Sequence, residues 1–560
     1  MDLKTFLENF DAIAEAPGGI PKLRSLILDL AVRGKLVAQN PEDESAIEAL
    51  ERMQYEKVGT IKAEGYRTKN KKFSLINDEY KIDFPLPKGW TLAELDELCI
   101  FIDYRGKTPP KVNSGIRLIT AKNVRDGFIK AEPEEFINEE TYHNWMTRGF
   151  PKEGDVLFTT EAPLGKAAVV DIEERFALAQ RIINLRPLSG VYGYFLMWLI
   201  LSPWFQNELQ ERATGMTATG IKAAKLKLIR IPLPPLAEQK RIVEKVDELM
   251  GLCDRYEAAK QTRDKLRQKL RGSAIASLMN TETDEELDAA WTFVRDNWCE
   301  LSQHPEDVKD LRQSVLELAV RGKLVHQNSS EGEVTDLIEL MLSKASFLGN
   351  SKNSLLSSGF WEIPENWSWL PLFQFGQIIG GGTPSKGDPD FWSGDIPWVS
   401  PKDMKVDYIE SSQDFISEKG LNNSTTKLVH EGSILMVIRG MILAHSFPVA
   451  VTRKQVTINQ DMKALMLFLP EMSDYLLICL KGLKRVFLNL VERSSHGTCR
   501  LPAEKLFSQL IPLPPLAEQK RIVAKVDELM QLCDQLEASL RQSQQRAESL
   551  AASAISHLTI

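Results

Sequence analysis

The sequence predicts an α+β protein of two tandem, pseudo-symmetric half-chains, each with a mixed α/β domain and long helices. The first observation is a repeat: IPLPPLAEQKRIVEKVDELMGLCD at Ile231–Asp254 returns at Ile511–Asp534 with two changed residues. The second is another repeat, because LRSLILDLAVRGKLVAQN from Leu23 returns as LRQSVLELAVRGKLVHQN from Leu311. The third is length, since 560 residues are too many for one core. A long unit present twice indicates a two-unit molecule and not a solenoid.

Each half-chain is expected to begin with helices. Leu23, Ile27 and Leu30 follow helical spacing. Gly34 and Gly322 stand where these helices should end, because glycine readily adopts the left-handed conformation that closes a helix. The expected regions, in order, are a helical region (1–84), a mixed domain (85–235), a long helix (236–280), a second helical region (281–360), a second mixed domain (361–515) and a second long helix (516–560).

The two mixed domains combine short strands, turns and a late apolar helix. β-Branched runs such as GIRLIT and DIPWVS alternate with glycine and proline turns such as GKTPPK and GGGTPSK. The halves match faintly here, as in LPKGW against IPENW and EGDVLF against EGSILM. These domains are therefore expected to share a fold and to differ in their surfaces.

Each long helix is predicted to begin after Pro-Leu-Pro-Pro, because proline disrupts a strand ladder and suits a first helical turn. One apolar stripe follows in each: Ile242, Val246, Leu249, Cys253 and Tyr256 in the first helix, and Ile522, Val526, Leu529, Cys533 and Leu536 in the second. Leu266 and Leu270, or Leu550 and Ile555, are expected to prolong the stripes. Roughly 40 helical residues span on the order of 60 Å. The two helices are therefore predicted to pair as an antiparallel coiled coil.

Composition limits the class of protein. With 43% hydrophobic and 26% charged residues, the chain should be folded over most of its length. A net charge of -8 argues against a simple polycation, but it permits DNA binding through local basic patches. Six scattered cysteines without a CxxC pair indicate a reduced, cytoplasmic protein without disulfides or a zinc site. The longest apolar run, Phe195–Phe205, is too short to span a bilayer.

The pattern of likeness between the halves bears on function. The helical parts match closely, whereas the mixed domains have diverged. Matched helices suit two copies of one partner or a pseudo-twofold axis, and diverged domains suit two different ligands read by one kind of module. A recent duplication without division of function is the alternative, although drift alone should not spare the helices.

The repeated block resembles a known family. IPLPPLAEQKRIV after a domain that opens with LPKGW or IPENW, with GGTP in its first turn, is similar to the specificity subunits of Type I restriction–modification systems. The resemblance covers essentially the whole chain, and the segments with LAVRGKLV resemble the longer subfamily. The first half departs from the pattern at RGKTPPK, where the second half has GGGTPSK.

The resemblance implies a non-catalytic reader of double-stranded DNA. Each mixed domain would be a target recognition domain that contacts one half of a bipartite, asymmetric site. The long helices would set the spacing and bind two DNA adenine methyltransferase subunits, which restriction and translocase subunits would then join. The chain itself would hold no cofactor; S-adenosylmethionine, ATP and magnesium would belong to the partners. The predicted partner-binding residues are Glu238, Gln239, Arg241, Glu518, Gln519 and Arg521.

The candidate DNA contacts are polar and basic side chains in loops, because these match the hydrogen-bonding groups of base edges and phosphates. In the first domain they are Arg105, Lys107, Thr108, Lys111, Lys122, Asn123, Arg125, Gln180, Arg181, Thr217, Thr219 and Lys222. In the second they are Thr383, Ser385, Lys386, Ser400, Lys402, Lys405, Asn459, Gln460, Arg493, His496, Thr498 and Arg500. Both domains are roughly neutral, so the chain alone is expected to bind DNA weakly.

Two alternatives remain open at this point. A nuclease would need paired carboxylates and a lysine, and Pro389-Asp390 with Asp403-Met404-Lys405 offers a loose version that the first half lacks. The chain has no phosphate loop, dinucleotide fingerprint, HExxH or GxSxG, and its seven histidines have no ligand spacing. The other alternative is a coiled-coil adaptor without base-specific recognition.

Overall fold

The computed structural model describes residues 3–63, 82–104, 109–214, 219–281, 283–347, 359–493 and 497–559. The chain forms two compact units. Unit 1 contains Met1–Arg263 and Gln544–Ile560, and unit 2 contains Asp264–Ser543. Each unit therefore holds one predicted mixed domain with its preceding helices. The prediction of two tandem mixed domains with long helices is confirmed.

Unit 1 begins with three helices and continues into a mixed domain. Its helices are α1 (Leu3–Glu15), α2 (Gly19–Val32), α3 (Ala46–Ala63), α4 (Leu95–Leu98), α5 (Glu139–Trp145), α6 (Gly193–Leu201), α7 (Pro203–Arg212), α8 (Ala223–Leu226) and the start of α9 (Leu236–Met279). Its strands are β1 (Thr91–Glu94), β2 (Cys99–Asp103), β3 (Ile116–Ile119), β4 (Phe136–Ile137), β5 (Val156–Thr160), β6 (Leu164–Val169), β7 (Phe176–Leu178), β8 (Ile182–Pro187) and β9 (Arg230–Leu233).

Unit 2 repeats this plan. Its helices after α9 are α10 (Asp284–Asp296), α11 (Trp298–Leu301), α12 (Val308–Val320), α13 (Val334–Phe347), α14 (Glu418–Asn422), α15 (Ser473–Gly482), α16 (Lys484–Asn489), α17 (Ala503–Phe507) and α18 (Leu516–Thr559). Its strands are β10 (Ser368–Pro371), β11 (Gly376–Gly380), β12 (Ile396–Val399), β13 (Tyr408–Ile409), β14 (Asp414–Ile416), β15 (Ile434–Val437), β16 (Val449–Thr452), β17 (Thr457–Ile458), β18 (Met462–Leu467), β19 (Glu492–Arg493), β20 (Cys499–Arg500) and β21 (Leu510–Leu513).

The two mixed domains share their sheet topology. The larger sheet has the order β2-β8-β5-β6 in unit 1 and β11-β18-β15-β16-β13 in unit 2, and the smaller has β4-β3-β7 and β14-β12-β17. The central strands also share a register, because Thr159 faces Ile182 where Val437 faces Met462. Every residue of β5 and of β15 is buried, as expected for strands covered on both faces. This shared register allows positions to be compared between the domains.

The first and last strands of each mixed domain pair with each other. Strand β1 pairs antiparallel with β9, and β10 pairs with β21 in the same way. The entry and exit of each domain therefore lie together, beside the start of a long helix. The long helices begin at Leu236 and Leu516, directly after Pro-Leu-Pro-Pro as predicted, although Pro232 and Pro512 themselves lie inside β9 and β21. Proline is tolerated because each of these strands is an edge strand.

The helix stops predicted at glycine are confirmed. Helix α2 ends at Val32, Gly34 has φ +66°, and Lys35 N donates to Leu30 O at 2.9 Å. Helix α12 ends in the same way, with Gly322 at φ +70°. A Cβ on Gly34 would lie 2.4 Å from Pro87 Cγ, so this position needs glycine for both its backbone and its neighbour.

The long helices have the predicted apolar stripes at their starts. Ile242, Val246, Leu249 and Cys253 are buried in the core of unit 1, as are Ile522, Val526, Leu529 and Cys533 in the core of unit 2. Leu266, Leu270 and Leu550 do not prolong the stripes as expected, because they are more than half exposed. Ile555 does so, because it packs against the core of unit 1.

Each long helix ends in the unit other than the one in which it begins. Ala274 and Leu278 of α9 belong to the core of unit 2, and Ala551 of α18 belongs to the core of unit 1. The predicted coiled-coil pairing along their length stays a prediction. Among the described residues, no helix combines the length and apolar character needed to cross a membrane.

Candidate nucleic-acid interface

The residues predicted to bind a partner protein lie in an internal junction of each unit. In unit 1, Glu238 accepts hydrogen bonds from Gln39 Nε2 at 2.6 Å and from Trp90 Nε1 at 3.0 Å. Burial raises the pKa of the Glu238 carboxyl. Gln239 donates to the carbonyls of Gly190 and Pro234 at 2.9 Å and accepts from Tyr192 N at 2.8 Å. The junction joins the first helical region, the mixed domain and the long helix.

Unit 2 contains the same junction. Glu518 accepts from Gln327 Nε2 at 2.7 Å and from Asn366 Nδ2 at 3.2 Å. Arg521 forms a two-point ion pair with Glu331 at 2.8 and 2.7 Å, as Arg241 does with Asp43 in unit 1. The repeated segments of the sequence are thus the pieces that meet here.

The prediction that Glu238, Gln239, Glu518 and Gln519 form a partner surface is wrong, because all four are at most 2% exposed. Arg241 and Arg521 are partly exposed but engaged in ion pairs with their own units. A run of Glu, Gln and Arg at a helix start looks the same in sequence whether it faces solvent or a domain.

Replacing Gln239 with alanine is expected to lower the free energy of unfolding of unit 1 by about 2–3 kcal/mol, because it leaves buried backbone groups unpaired. Gln519→Ala should cost less, since the Oε1 of Gln519 is buried without a hydrogen-bond partner among the described residues. Denaturant unfolding of the full chain measures both. Lys240→Ala, at an exposed neighbouring position, is the control, and equal losses for both glutamines would contradict the expectation.

In unit 1, several predicted DNA contacts meet at one edge of the mixed domain. Thr160 N donates to Arg181 O at 2.9 Å, and Ile221 N donates to Thr160 O at 3.0 Å. The end of β5, the start of β8 and the segment before α8 are therefore held together. At this edge Arg181 Nε lies 2.8 Å from Glu161 Oε1, and both side chains are more than 40% exposed.

Further predicted residues lie at or near this edge. Gly220 bridges to Glu161, which brings the neighbouring Thr219 and Lys222 close, and both are exposed. The parallel strands β3 and β7 end side by side, so the turn with exposed Lys122 and partly exposed Arg125 follows next to Gln180. Lys111 forms an ion pair with Glu135 at 2.7 Å. Arg105, Lys107, Thr108 and Thr217 lie outside the described residues.

Unit 2 assembles the equivalent edge. Ile438 N donates to Asp461 O at 2.9 Å, and Leu501 N donates to Ile438 O at 2.8 Å. Arg439 bridges to Arg500 through the backbone, and its Nη1 lies 3.9 Å from Asp461 Oδ1. Thus the end of β15, the start of β18 and strand β20 converge as their counterparts do in unit 1.

The loops around this edge contain most of the contacts predicted for the second domain. The Thr383 hydroxyl donates to the Gln460 side-chain oxygen, which joins the GGGTPSK loop to the NQD turn. A Cβ on Gly381 would lie 1.8 Å from Asn459 O, so the glycine cluster allows close packing and is not a phosphate loop. The exposed predicted residues are Ser385, Lys386, Lys402, Lys405, Gln460, Arg493, Thr498 and Arg500, whereas His496 lies outside the described residues.

Three predicted DNA contacts are buried inside loops. Asn123 is 0% exposed and accepts from Thr120 N at 2.9 Å while donating to Lys130 O and Pro133 O. Asn459 and Ser400 are 6% exposed; Asn459 Oδ1 accepts from Asp461 N at 3.1 Å, and Ser400 Oγ donates to Asp403 Oδ2 at 3.0 Å. Their assignment as direct DNA contacts is therefore corrected, because each side chain already holds its loop together.

The carboxylates that the nuclease alternative requires are engaged in other contacts. Asp403 accepts from Ser400 N at 2.8 Å and from Gln413 N at 2.9 Å, the turn-closing role that Asn123 has in unit 1. Asp390 pairs with Lys419 at 2.8 Å, and this ammonium group lowers the pKa of the Asp390 carboxyl. Within the described ranges, no three histidine, cysteine or acidic side chains are grouped so as to hold a metal ion.

Sequence reasoning missed Glu161 and Arg439, which occupy the centre of each edge. Glu161 was outside the set of residue types considered, although a carboxylate can accept from the amino group of a base. Arg439 comes two residues after the end of the buried strand β15, in VIRG, and this could have served as a signal. The exposed Met441 and Ile442 beside it were also missed.

The chain is similar in sequence to known proteins. The family described as the Type I restriction modification DNA specificity domain matches residues 87–263 and 364–544, which is more than half of the chain. The EcoEI specificity subunit of Escherichia coli is 28% identical, with 95% of this chain and 93% of that protein covered. The EcoAI specificity subunit of the same species is 27% identical, with 95% and 92% covered.

A solved structure is also similar. The HsdS subunit from Thermoanaerobacter tengcongensis has 20% identity and a TM-score of 0.43, with 85% of this chain and 97% of that chain covered. The resemblance read from the repeated block is confirmed by the family match in both halves. The chain belongs to the family of the Type I restriction modification DNA specificity domain, and it contains two such domains.

Proposed function

We propose that this chain is the DNA-reading subunit of a Type I restriction–modification complex. The mixed domain at 85–235 reads one half of a bipartite, asymmetric site in double-stranded DNA, and the domain at 361–515 reads the other. One observation carries the proposal: both DNA specificity domains have the same strand register, yet they present different side chains at the same edge. A shared scaffold with different reading surfaces suits two different half-sites.

The chain acts without catalysis of its own in this proposal. Two DNA adenine methyltransferase subunits bind S-adenosylmethionine, and restriction and translocase subunits use ATP and magnesium. The relatives that support this role are named specificity subunits of Type I restriction enzymes.

The predicted residues do not form the surface for the two methyltransferase subunits, since most of them are buried, and we assign that surface elsewhere. Identical side chains remain exposed further along the repeated helix starts: Lys240, Asp247 and Glu248 in α9, and Lys520, Asp527 and Glu528 in α18. Two equal surfaces suit two copies of one partner.

Exchange of residues 361–515 for the equivalent domain of a relative is expected to change one half-site and leave the other unchanged. The physical reason is that base contacts belong to loops of a single domain. Sequencing of methylated adenines in cells that carry the whole system gives the recognised site. Exchange of residues 85–235 is the matched control, and it should change the opposite half. An unchanged site after both exchanges would favour the structural adaptor instead.

A further inference from the structure

Each mixed domain carries one ion pair at the same point of its backbone, with the charges exchanged. In the shared register, Glu161 corresponds to Arg439 and Arg181 corresponds to Asp461. The supporting hydrogen bonds also match, since Arg181 O and Asp461 O each accept a backbone N–H at 2.9 Å. The backbone is thus conserved at this point while the sign of each side chain is reversed.

Neighbouring positions at the same edge keep their chemistry in both domains. Lys122 and Lys402 occupy the same place in the turns closed by Asn123 and Asp403, and both are exposed. Phosphates are the same in every half-site, so a phosphate contact should keep its positive charge in both domains. The two lysines meet this condition.

The ion pairs Glu161–Arg181 and Arg439–Asp461 do not keep a positive charge at the same position in both domains. A carboxylate is repelled by phosphate, so Glu161 cannot make the phosphate contact that a lysine makes in both domains. Base edges differ between half-sites, and they present donors at some positions and acceptors at others. A position that carries a carboxylate in one domain and a guanidinium in the other suits that variation.

The accessibility of the pairs fits contact with a base. The side chain of Arg439 is 51% exposed and is held loosely by Asp461, at 3.9 Å. Arg500 lies beside it on β20, which adds positive charge to the same edge. In unit 1 the Glu161 side chain is 41% exposed, and Arg181 orients it at 2.8 Å.

We propose that Glu161 and Arg439 are the equivalent base-reading positions of the two domains, an inference that rests on the proposed function. The Arg439 guanidinium donates to the O6 and N7 acceptors of a guanine in its half-site. The Glu161 carboxylate accepts from the amino group of a cytosine in the other half-site. Arg181 and Asp461 are positioning residues that orient these two side chains.

The test is an exchange of charge within unit 2, Arg439→Glu with Asp461→Arg, in cells that carry the whole system. We expect methylation of the original site to fall roughly tenfold to a hundredfold, the range for loss of one good base contact. We also expect sequencing of methylated adenines to show a changed base pair at one position of the half-site read by 361–515. The other half-site should stay the same. The reciprocal exchange, Glu161→Arg with Arg181→Asp, should change only the half-site read by 85–235.

Three comparisons keep the outcomes separate. Arg485→Glu repeats the substitution made at Arg439 at another exposed position of unit 2, and it should leave the site unchanged. Arg439→Lys keeps the positive charge but lacks the two-point geometry of arginine, so it should relax the base preference. This conservative variant also tests the proposal if the double variant fails to fold. Equal weakening at all sequences would identify Arg439 as a phosphate contact and overturn the proposal, as would an unchanged site. If the domain exchange then still altered a half-site, the proposed function would stand without this inference.

Discussion

Replacing Asp155 with alanine is expected to lower the free energy of unfolding of unit 1 by about 3–5 kcal/mol, because it leaves a buried guanidinium without its counter-charge. Asp155 is 2% exposed and accepts from Arg186 Nε at 3.1 Å and Arg186 Nη2 at 3.0 Å. Asn184 Nδ2 and Lys152 N donate to the same carboxylate at 2.7 and 2.9 Å. Denaturant unfolding of the full chain, followed by circular dichroism, measures the loss.

Unit 2 provides the control for this prediction. In the shared register Ser433, Ala464 and Met466 stand where unit 1 has Asp155, Asn184 and Arg186. Introducing all three unit 2 residues into unit 1 removes both charges together, and a buried ion pair replaced by well-packed neutral residues often costs nothing. The triple variant should therefore be about as stable as the parent chain. A triple variant as unstable as Asp155→Ala would show that the polar cluster itself is needed.

Insertion of four residues into both long helices is expected to lengthen the unread stretch between the two half-sites without changing the half-sites. Four helical residues add roughly 6 Å of length and about 40° of rotation. The insertion points are the unit boundaries, between Arg263 and Asp264 in α9 and between Ser543 and Gln544 in α18. Sequencing of methylated adenines reads the spacer directly.

The matched control is the same insertion in α9 alone. Both helices connect the same two units, so a change in one connection conflicts with the other. We expect this single insertion to abolish methylation of the original site. A single insertion that altered the spacer as well as the double insertion would show that α18 does not help to set the spacing.

The sequence predicts those features that depend on neighbouring residues. Gly34 and Gly322 end their helices as expected, since a left-handed glycine after a run of helical spacing is a local signal. The start of the apolar stripe, from Ile242 to Cys253, is also local and correct. The two-domain organisation follows from the repeat alone.

Features that depend on distant contacts could not be read in this way. Glu238 and Gln239 are buried against residues far away in sequence, such as Gln39 and Tyr192. A polar helix start gives no sign in the sequence that other parts of the chain pack over it. The correspondence of Glu161 with Arg439 appears only when the strands are paired, because the loops that follow β5 and β15 differ in length and sequence. Asn123 is a residue type that often contacts DNA, but its buried side chain instead holds its own loop together.

The crossing of the long helices between units has a consequence for how the chain is made. The core of unit 1 includes Ala551, so this core cannot be completed until residue 551 has been translated. A nascent chain that already contains all of residues 1–263 still lacks the part of α18 that completes the core of unit 1. Chains truncated between residues 544 and 551 would contain both specificity domains and still lack part of the first core, so proteases should degrade them faster than the longer chain.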